Sequence, residues 1–388
     1  MLGKRWQGKI EPVQEKPDCP QGQCPAAPGA ANIPPVNATS FATAAPPGAA
    51  SLPAAGRRAV AAWLLACCAL VFAMVVVGGA TRLTHSGLSI VEWQPFIGTL
   101  PPLSAADWAE QFEKYKLTPE FRLRNHDMDV EGFKSIFWWE YFHRLFGRLI
   151  GVVYFLPLAW FWARGVLDRP LKWKLAGIFV LGGLQGAMGW YMVKSGLVDD
   201  PQVSQFRLTA HLGLALLIFA AMFWVAHGLL RPAASGAPAG LRRAGLAFAA
   251  LVFLLALSGG VVAGIRAGFA YNTWPLMNGH WIPPEILMIE PWWRNFGYNM
   301  ATVQFVHRTT ALVVLACAFL LAWRVRANPA TGGEARLAAA TLAAVTLGQV
   351  VLGITTLLLA VPVSLGTAHQ GGAVVVLATA LWLARSLR

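Results

Sequence analysis

Charge is scarce in this chain. Only 13% of its 388 residues are Asp, Glu, Lys or Arg, against 56% hydrophobic, and mean hydropathy is +0.52. That excludes a soluble protein of this size. Acids are scarcer than bases, 18 against 31, for a net charge of +13. The Lys and Arg residues fall mainly in alternate loops and form no stripe on a soluble face, so no nucleic-acid footprint is present. Cysteine is also rare. Cys67, Cys68 and Cys317 lie inside apolar runs and read as small packing residues, while Cys19 and Cys24 have no Cys or His companions and make a weak metal site. Five such residues give no disulfide framework. Residues 1–55 are rich in Pro, Ala and Gly and read as a disordered cytoplasmic tail. The first apolar run arrives too late for a cleavable signal.

What the chain has in abundance is apolar runs of spanning length. Eight appear, near residues 59–80, 141–163, 174–193, 207–230, 242–264, 300–323, 336–360 and 367–386. The expected fold is an all-α polytopic membrane protein with eight transmembrane helices. Basic residues such as Arg57, Arg58, Arg164, Lys172, Arg242, Arg243, Arg324 and Arg326 mark one set of loops as cytoplasmic. Asp107, Glu110, Asp129, Glu131, Asp199 and Glu285 fall in the opposite loops. Both termini are then cytoplasmic, and Trp138, Trp139, Trp292 and Trp293 form an aromatic belt.

The runs repeat. Gly78-Gly79 corresponds to Gly259-Gly260, Gly87 to Gly268 and Trp93 to Trp274 without a gap, and Gln185 with Gly189 corresponds to Gln349 with Gly353. His143 and His307 each open a His-Arg dipeptide, and His211 and His369 each close Thr-Ala-His. An even number of spans per half sets the halves in the same direction, related by an axis along the membrane normal. The expected domains are an N-terminal four-helix bundle, 56–232, with an outer loop at 82–139, and a C-terminal bundle, 233–388.

Histidine inside a span is costly unless partnered. Four at equivalent depth point to function, with His143 facing His211 and His307 facing His369. Two imidazoles across a bundle suit axial ligation of haem iron. Zinc wants three or four ligands, which the neighbourhood lacks. Arg144 and Arg308, beside the ligands, are placed to meet propionates. His85, His126, His227 and His280 read as solvated or interfacial.

The halves are chemically unequal. Glu140 stands three residues before His143 where the other half has Gln304, and Arg148 and Arg207 stand where it has Leu312 and Leu365. A carboxylate beside a haem can move protons or stabilise a developing cation, which electron transfer alone does not need. The alternative is that Glu140 pairs with Arg144 at i+4.

These motifs resemble the haem A synthase family. The match is carried by Gly78-Gly79-Ala80-Thr81-Arg82-Leu83-Thr84, Ser86-Gly87-Leu88-Ser89, Glu140-Tyr141-Phe142-His143-Arg144, Thr209-Ala210-His211, His307-Arg308 and Thr367-Ala368-His369, and runs from about residue 58 to 388. The resemblance implies oxidation of the C8 methyl of haem O to the formyl of haem A for cytochrome oxidase. It assigns His143, His211 and catalytic Glu140 to the substrate haem and His307 and His369 to a haem b cofactor; by their positions Arg144, Arg148 and Arg207 then belong with the first and Arg308 with the second. Haem O synthase and cytochrome oxidase assembly factors are the implied neighbours in a bacterial inner membrane. The outer loop lacks the cysteine pair of many bacterial relatives, as in the proteobacterial and mitochondrial branch, so no thiol relay is implied. Within that loop Ser104-Ala105-Ala106-Asp107 predicts a short helix lying as a lid over the substrate site. A di-haem membrane electron-transfer cytochrome b and a haem transporter stay open at this point, as does homo-oligomerisation.

Overall fold

The computed structural model of the chain describes residues 54–92, 97–197, 201–231 and 236–388. Most of the expected tail, with Cys19 and Cys24, lies outside them, as do Trp93 and Asp199. The described residues from 54 on belong to one compact unit. They are helical, with no β-strand among them beyond an isolated bridge between Met277 and His280. Eight helices are long and apolar enough to cross a membrane: α1 (Ala54–Leu83), α4 (Val130–Ala163), α5 (Arg169–Gly196), α6 (Gln205–Leu230), α7 (Ala239–Gly264), α9 (Met300–Ala327), α10 (Gly333–Leu358) and α11 (Val363–Ser386). The short helices α2 (Ala105–Lys116) and α3 (Pro119–Arg124) precede α4, and α8 (Asn295–Tyr298) precedes α9. This is a multi-pass membrane protein.

The centre is a ring of α1, α6, α7 and α11, in which α1 packs on α6 and α11, and α7 does the same. Helices α4 and α5 flank the ring on one side, α9 and α10 on the other. Lipid is as apolar as leucine, so such helices associate by close approach at small residues. Gly79 on α1 meets Gln370 of α11, whose Nε2 donates to Val75 O at 2.9 Å; Gly260 on α7 meets Thr209 of α6. Equivalent glycines thus join the two halves. Helices α1 and α7 also end alike, at the left-handed residues His85 (φ 54°) and Arg266 (φ 58°), and Arg82 donates to the terminal carbonyls of Ala263 and Gly264.

Helix α4 begins at Val130, well before the expected span. At 34 residues it runs about 51 Å, far beyond a bilayer core of about 30 Å. Two local causes extend it. Asp129 Oδ1 caps it by accepting from Gly132 N at 2.8 Å, and Phe133, Phe137 and Tyr141 form an i+4 stripe buried against α2 and α3. Helix α2 starts with the expected capping box: Ser104 Oγ accepts from Asp107 N, and Asp107 Oδ2 accepts from Ser104 N. Trp108 packs edge-on to Phe137 at 5.0 Å, and Tyr115 stacks on Phe133 at 5.2 Å. The free thiols of Cys67 and Cys68 are buried packing groups.

This outer layer holds a carboxyl displaced upward. Glu120 on α3 is 3% exposed, and its Oε2 has no hydrogen-bond partner. Burial, then the charge of Glu140, push its carboxyl up from 4.5 to about 7, against the opposing pull of Arg124 and Arg266. A raised folded-state pKa means the stability it contributes is full below about pH 4.5 and lost as pH rises through 7. Amide exchange in α2 and α3 is expected to be slower at pH 5 than at pH 8 after correction for intrinsic rates, and Glu120→Gln to remove the difference. Equal corrected protection in the wild type at both pH values would contradict this.

Candidate functional site

All four paired histidines lie at the same end of the molecule, where α2 and α3 sit. His143 and His307 are on α4 and α9, His211 and His369 near the starts of α6 and α11. Each ring is seated on a glycine of a neighbouring helix. A methyl at Gly78 would lie 3.0 Å from His143 Cε1, and one at Gly259 3.1 Å from His307 Cε1. On the opposite side the distances are 3.2 Å from Gly189 to His211 and 2.7 Å from Gly353 to His369. The repeated glycines are therefore where a backbone approaches an imidazole closely, and a side chain there would push the ring back, by a few tenths of an ångström at Gly78, Gly189 and Gly259 and further at Gly353.

The rings are held from behind by polar side chains. Gln349 Nε2 donates to His369 Nδ1 at 3.1 Å and to its carbonyl at 2.7 Å; equivalent Gln185 Nε2 lies 3.3 Å from His211 Nε2. Ser258 Oγ lies 2.7 Å from His307 Nδ1 and donates to Leu255 O. With its one proton so used, Ser258 accepts from Nδ1–H, which leaves Nε2 of His307 as the lone-pair nitrogen. The His307 and His369 rings face each other at 6.5 Å between centroids and 84° between planes. The two imidazoles are thus neighbours across the bundle. In the N-terminal half Nδ1 of both His143 and His211 is buried without a partner. Paired buried imidazoles are the donor set that haem iron takes. Among the described residues no three His, Cys, Asp or Glu gather into another metal site.

Above the rings the halves use one clasp with different chemistry. Arg144 Nη2 and Nη1 donate to Ile90 O (2.9 Å) and Glu92 O (3.3 Å). Arg308 donates to Tyr271 O and Thr273 O, the equivalent carbonyls. Arginine thereby pins the segment after α1 or α7 to the histidine helix. Beneath it, Gln304 Nε2 donates to Ala267 O (2.5 Å) and Ala270 O (2.7 Å). Glu140 fills the matching slot as a buried carboxylate. Its Oε1 accepts from Arg144 Nη2 (2.6 Å) and Nε (3.0 Å), its Oε2 from Ser89 Oγ (2.7 Å) and Ile90 N (2.9 Å). The i+4 pairing with Arg144 is thus present, together with two contacts the spacing did not announce.

Arg148 Nη1 donates to Gly98 O at 3.0 Å, and Arg207 lies over the Tyr191 ring at 4.8 Å. A cavity of about 220 Å³ at the outer end is lined by Arg144, Arg148, Tyr141 and Phe137, and by Asp107, Glu110 and Gln111 of α2. Helix α2 therefore borders the space above the N-terminal site, as its sequence predicts. The remaining histidines sit elsewhere: His85 against Arg266, exposed His126 beside Asp127, and His227 at 3.3 Å from Glu334 at the far end of α6. Ser89, Ser258 and the loop carbonyls are the site groups that sequence reasoning missed. The fixed spacing of Gln185-Gly189 and Gln349-Gly353 held the signal for the two glutamines.

Residues 61–381 match the COX15-CtaA family model, described as cytochrome oxidase assembly protein. The heme A synthase of Nitrosospira multiformis is 57% identical over 338 residues, 86% of this chain and 94% of that protein. Those of Nitrosomonas eutropha and Rhodospirillum centenum are each 52% identical, over 84% and 86% of this chain and 93% and 90% of their own lengths. With a family match across nearly all its membrane helices, this chain belongs to the COX15-CtaA family of cytochrome oxidase assembly proteins.

Proposed function

We propose that this protein is a haem A synthase, an oxidoreductase that converts the C8 methyl group of haem O to a formyl group and so supplies haem A to cytochrome oxidase. The observation that carries the reading is inequality at matched geometry. Both halves seat an imidazole pair on glycines, and only the N-terminal half adds Glu140, Arg148 and Arg207. In this reading His143 and His211 hold the substrate haem, and Arg144, Arg148 and Arg207 stand at its outer edge for the propionates. His307, His369 and Arg308 hold haem b, which when bound supplies one-electron redox chemistry.

Methyl to formyl takes two two-electron oxidations at one carbon, passing through an alcohol; with water supplying the oxygen, each releases two protons and two electrons, the electrons leaving to an external acceptor through a one-electron carrier. Four N–H and O–H donors converge on the Glu140 oxygens, the environment of a fixed carboxylate anion. A preorganised anion beside the reacting carbon stabilises positive charge developing there, and needs no reorganisation as the charge appears. The Ser89 hydroxyl, 2.7 Å from Oε2, is a neighbour through which a proton can pass. The relatives' names support the reaction. The loop charges support a bacterial inner-membrane location with both termini cytoplasmic, which sets the sites at the outer side. Haem O synthase and cytochrome oxidase assembly factors are the expected partners.

In cells supplying haem O, Glu140→Gln is expected to bind haem normally and to slow conversion by about 10²–10³-fold, the usual cost of one preorganised electrostatic group. Undiminished haem A formation by this variant would remove Glu140 from the chemistry. Haem b alone in the wild type would indicate a di-haem cytochrome. The seats give a separate expectation. Gly353→Ala must displace His369 and weaken haem b retention in a haem titration, whereas Gly348→Ala, on the same helix with open space around it, leaves retention unchanged.

A further inference from the structure

The two halves also differ in what lies between their flanking helices. Gly147 and Gly151 on α4 correspond to Ala311 and Leu315 on α9, and Gly182 and Gly186 on α5 to Thr346 and Val350 on α10, all at the register that aligns the ligands. Four small positions on one pair of helices are filled on the other. Helix geometry sets Gly182 and Gly186 within about 60° of Gly189, the residue seating His211, and Gly147 and Gly151 within about 80° of His143. These glycines therefore lie on the site side of their helices. They are nonetheless exposed: a methyl at Gly151, Gly182 or Gly186 would meet nothing within 4 Å, and one at Gly147 only Met74, at 3.7 Å. In the C-terminal half Thr346 is 2% exposed.

The open space has a floor and a mouth. Toward the far end α4 and α5 close, with Tyr154 donating to Leu175 O at 2.9 Å and Phe155 packing on Phe179 at 5.4 Å. Toward the ligand end a cavity of about 230 Å³ lies between Arg144 and the α5 residues Trp190, Val193 and Lys194. Along the membrane-spanning windows of α4 and α5 only 11% and 6% of residues are buried, against 22% and 28% for α9 and α10. The result is an apolar strip on the site side of α4 and α5, open to lipid and bare of side chains, between this floor and the His143–His211 pair. Haem O differs from haem b by a long isoprenoid substituent on the macrocycle edge, and such a chain needs apolar space of this kind.

We infer that the strip lined by Gly147, Gly151, Gly182 and Gly186 receives the isoprenoid tail of haem O, and that Ala311, Leu315, Thr346 and Val350 deny that space in the C-terminal half. The two bundles thus sort a tailed substrate from a tail-less cofactor by volume, and the strip doubles as the lateral way in from the bilayer. This rests on the proposed haem O site and names the residues that give it selectivity.

The test is pigment loading of the full chain, purified from cells that make both haem O and haem b, with extracted haems identified by mass. Gly151→Leu and Gly186→Val each install the residue of the other half. Either is expected to lower the ratio of tailed to tail-less haem at least about tenfold, the scale set by lost space in an apolar pocket. Gly183→Leu, which copies Leu347 but points away from the site, is expected to match the wild type. Leu315→Gly with Val350→Gly is expected to admit tailed haem to the C-terminal half. Where a larger substitution prevents assembly, Gly182→Ala with Gly186→Ala gives the same reading with a smaller drop. An unchanged ratio in assembled variants overturns the inference and assigns the strip to membrane lipid. A wild type devoid of tailed haem overturns the underlying reading itself.

Discussion

The imidazole seated on a glycine of the next helix is the contact on which the rest of this structure depends. It occurs four times, at His143 on Gly78, His211 on Gly189, His307 on Gly259 and His369 on Gly353. Between helices in lipid there is little hydrophobic drive, so close approach and polar contacts must hold the bundle together. A ring resting on bare backbone supplies the first, and Ser258, Gln185 and Gln349 the second. The same contact fixes where each ring stands.

On this shared frame the halves diverge through few substitutions. The arginine clasp on the loop after α1 or α7 is common to both, donating to Ile90 and Glu92 in one half and to Tyr271 and Thr273 in the other. Beneath it one slot holds either Gln304, which donates to two carbonyls, or Glu140, which accepts from a hydroxyl and an N–H. Exchanging amide for carboxylate reverses the hydrogen bonding and introduces a negative charge while the fold persists. Glycines in place of larger residues between α4 and α5 then open the space around the same site. One architecture thus carries two differently equipped histidine pairs.

Much of this was legible in the sequence because membrane helices and their ligands carry strong signals. Eight apolar runs marked the spans, and offsets that stay constant within each repeat segment paired the histidines. The Glu140–Arg144 pair and the Ser104–Asp107 capping box follow from helical spacing alone. The loop clasp was not legible, because its acceptors are backbone carbonyls, which no side chain advertises. Ser258 escaped notice since the other half has Val77 in its place, and a repeat search rewards sameness. The early start of α4 was missed because hydropathy reports the bilayer, whereas Phe133 and Phe137 are buried by a protein layer outside it.

The central claim is that two like-built histidine pairs hold two different haems. It is tested most directly by identifying the pigments left in two double variants, His143→Ala with His211→Ala and His307→Ala with His369→Ala. The account predicts that the first loses haem O and its oxidation products while keeping haem b, and that the second loses haem b while the N-terminal half still takes up haem O. Loss of the same pigment from both variants, in equal measure, would contradict it.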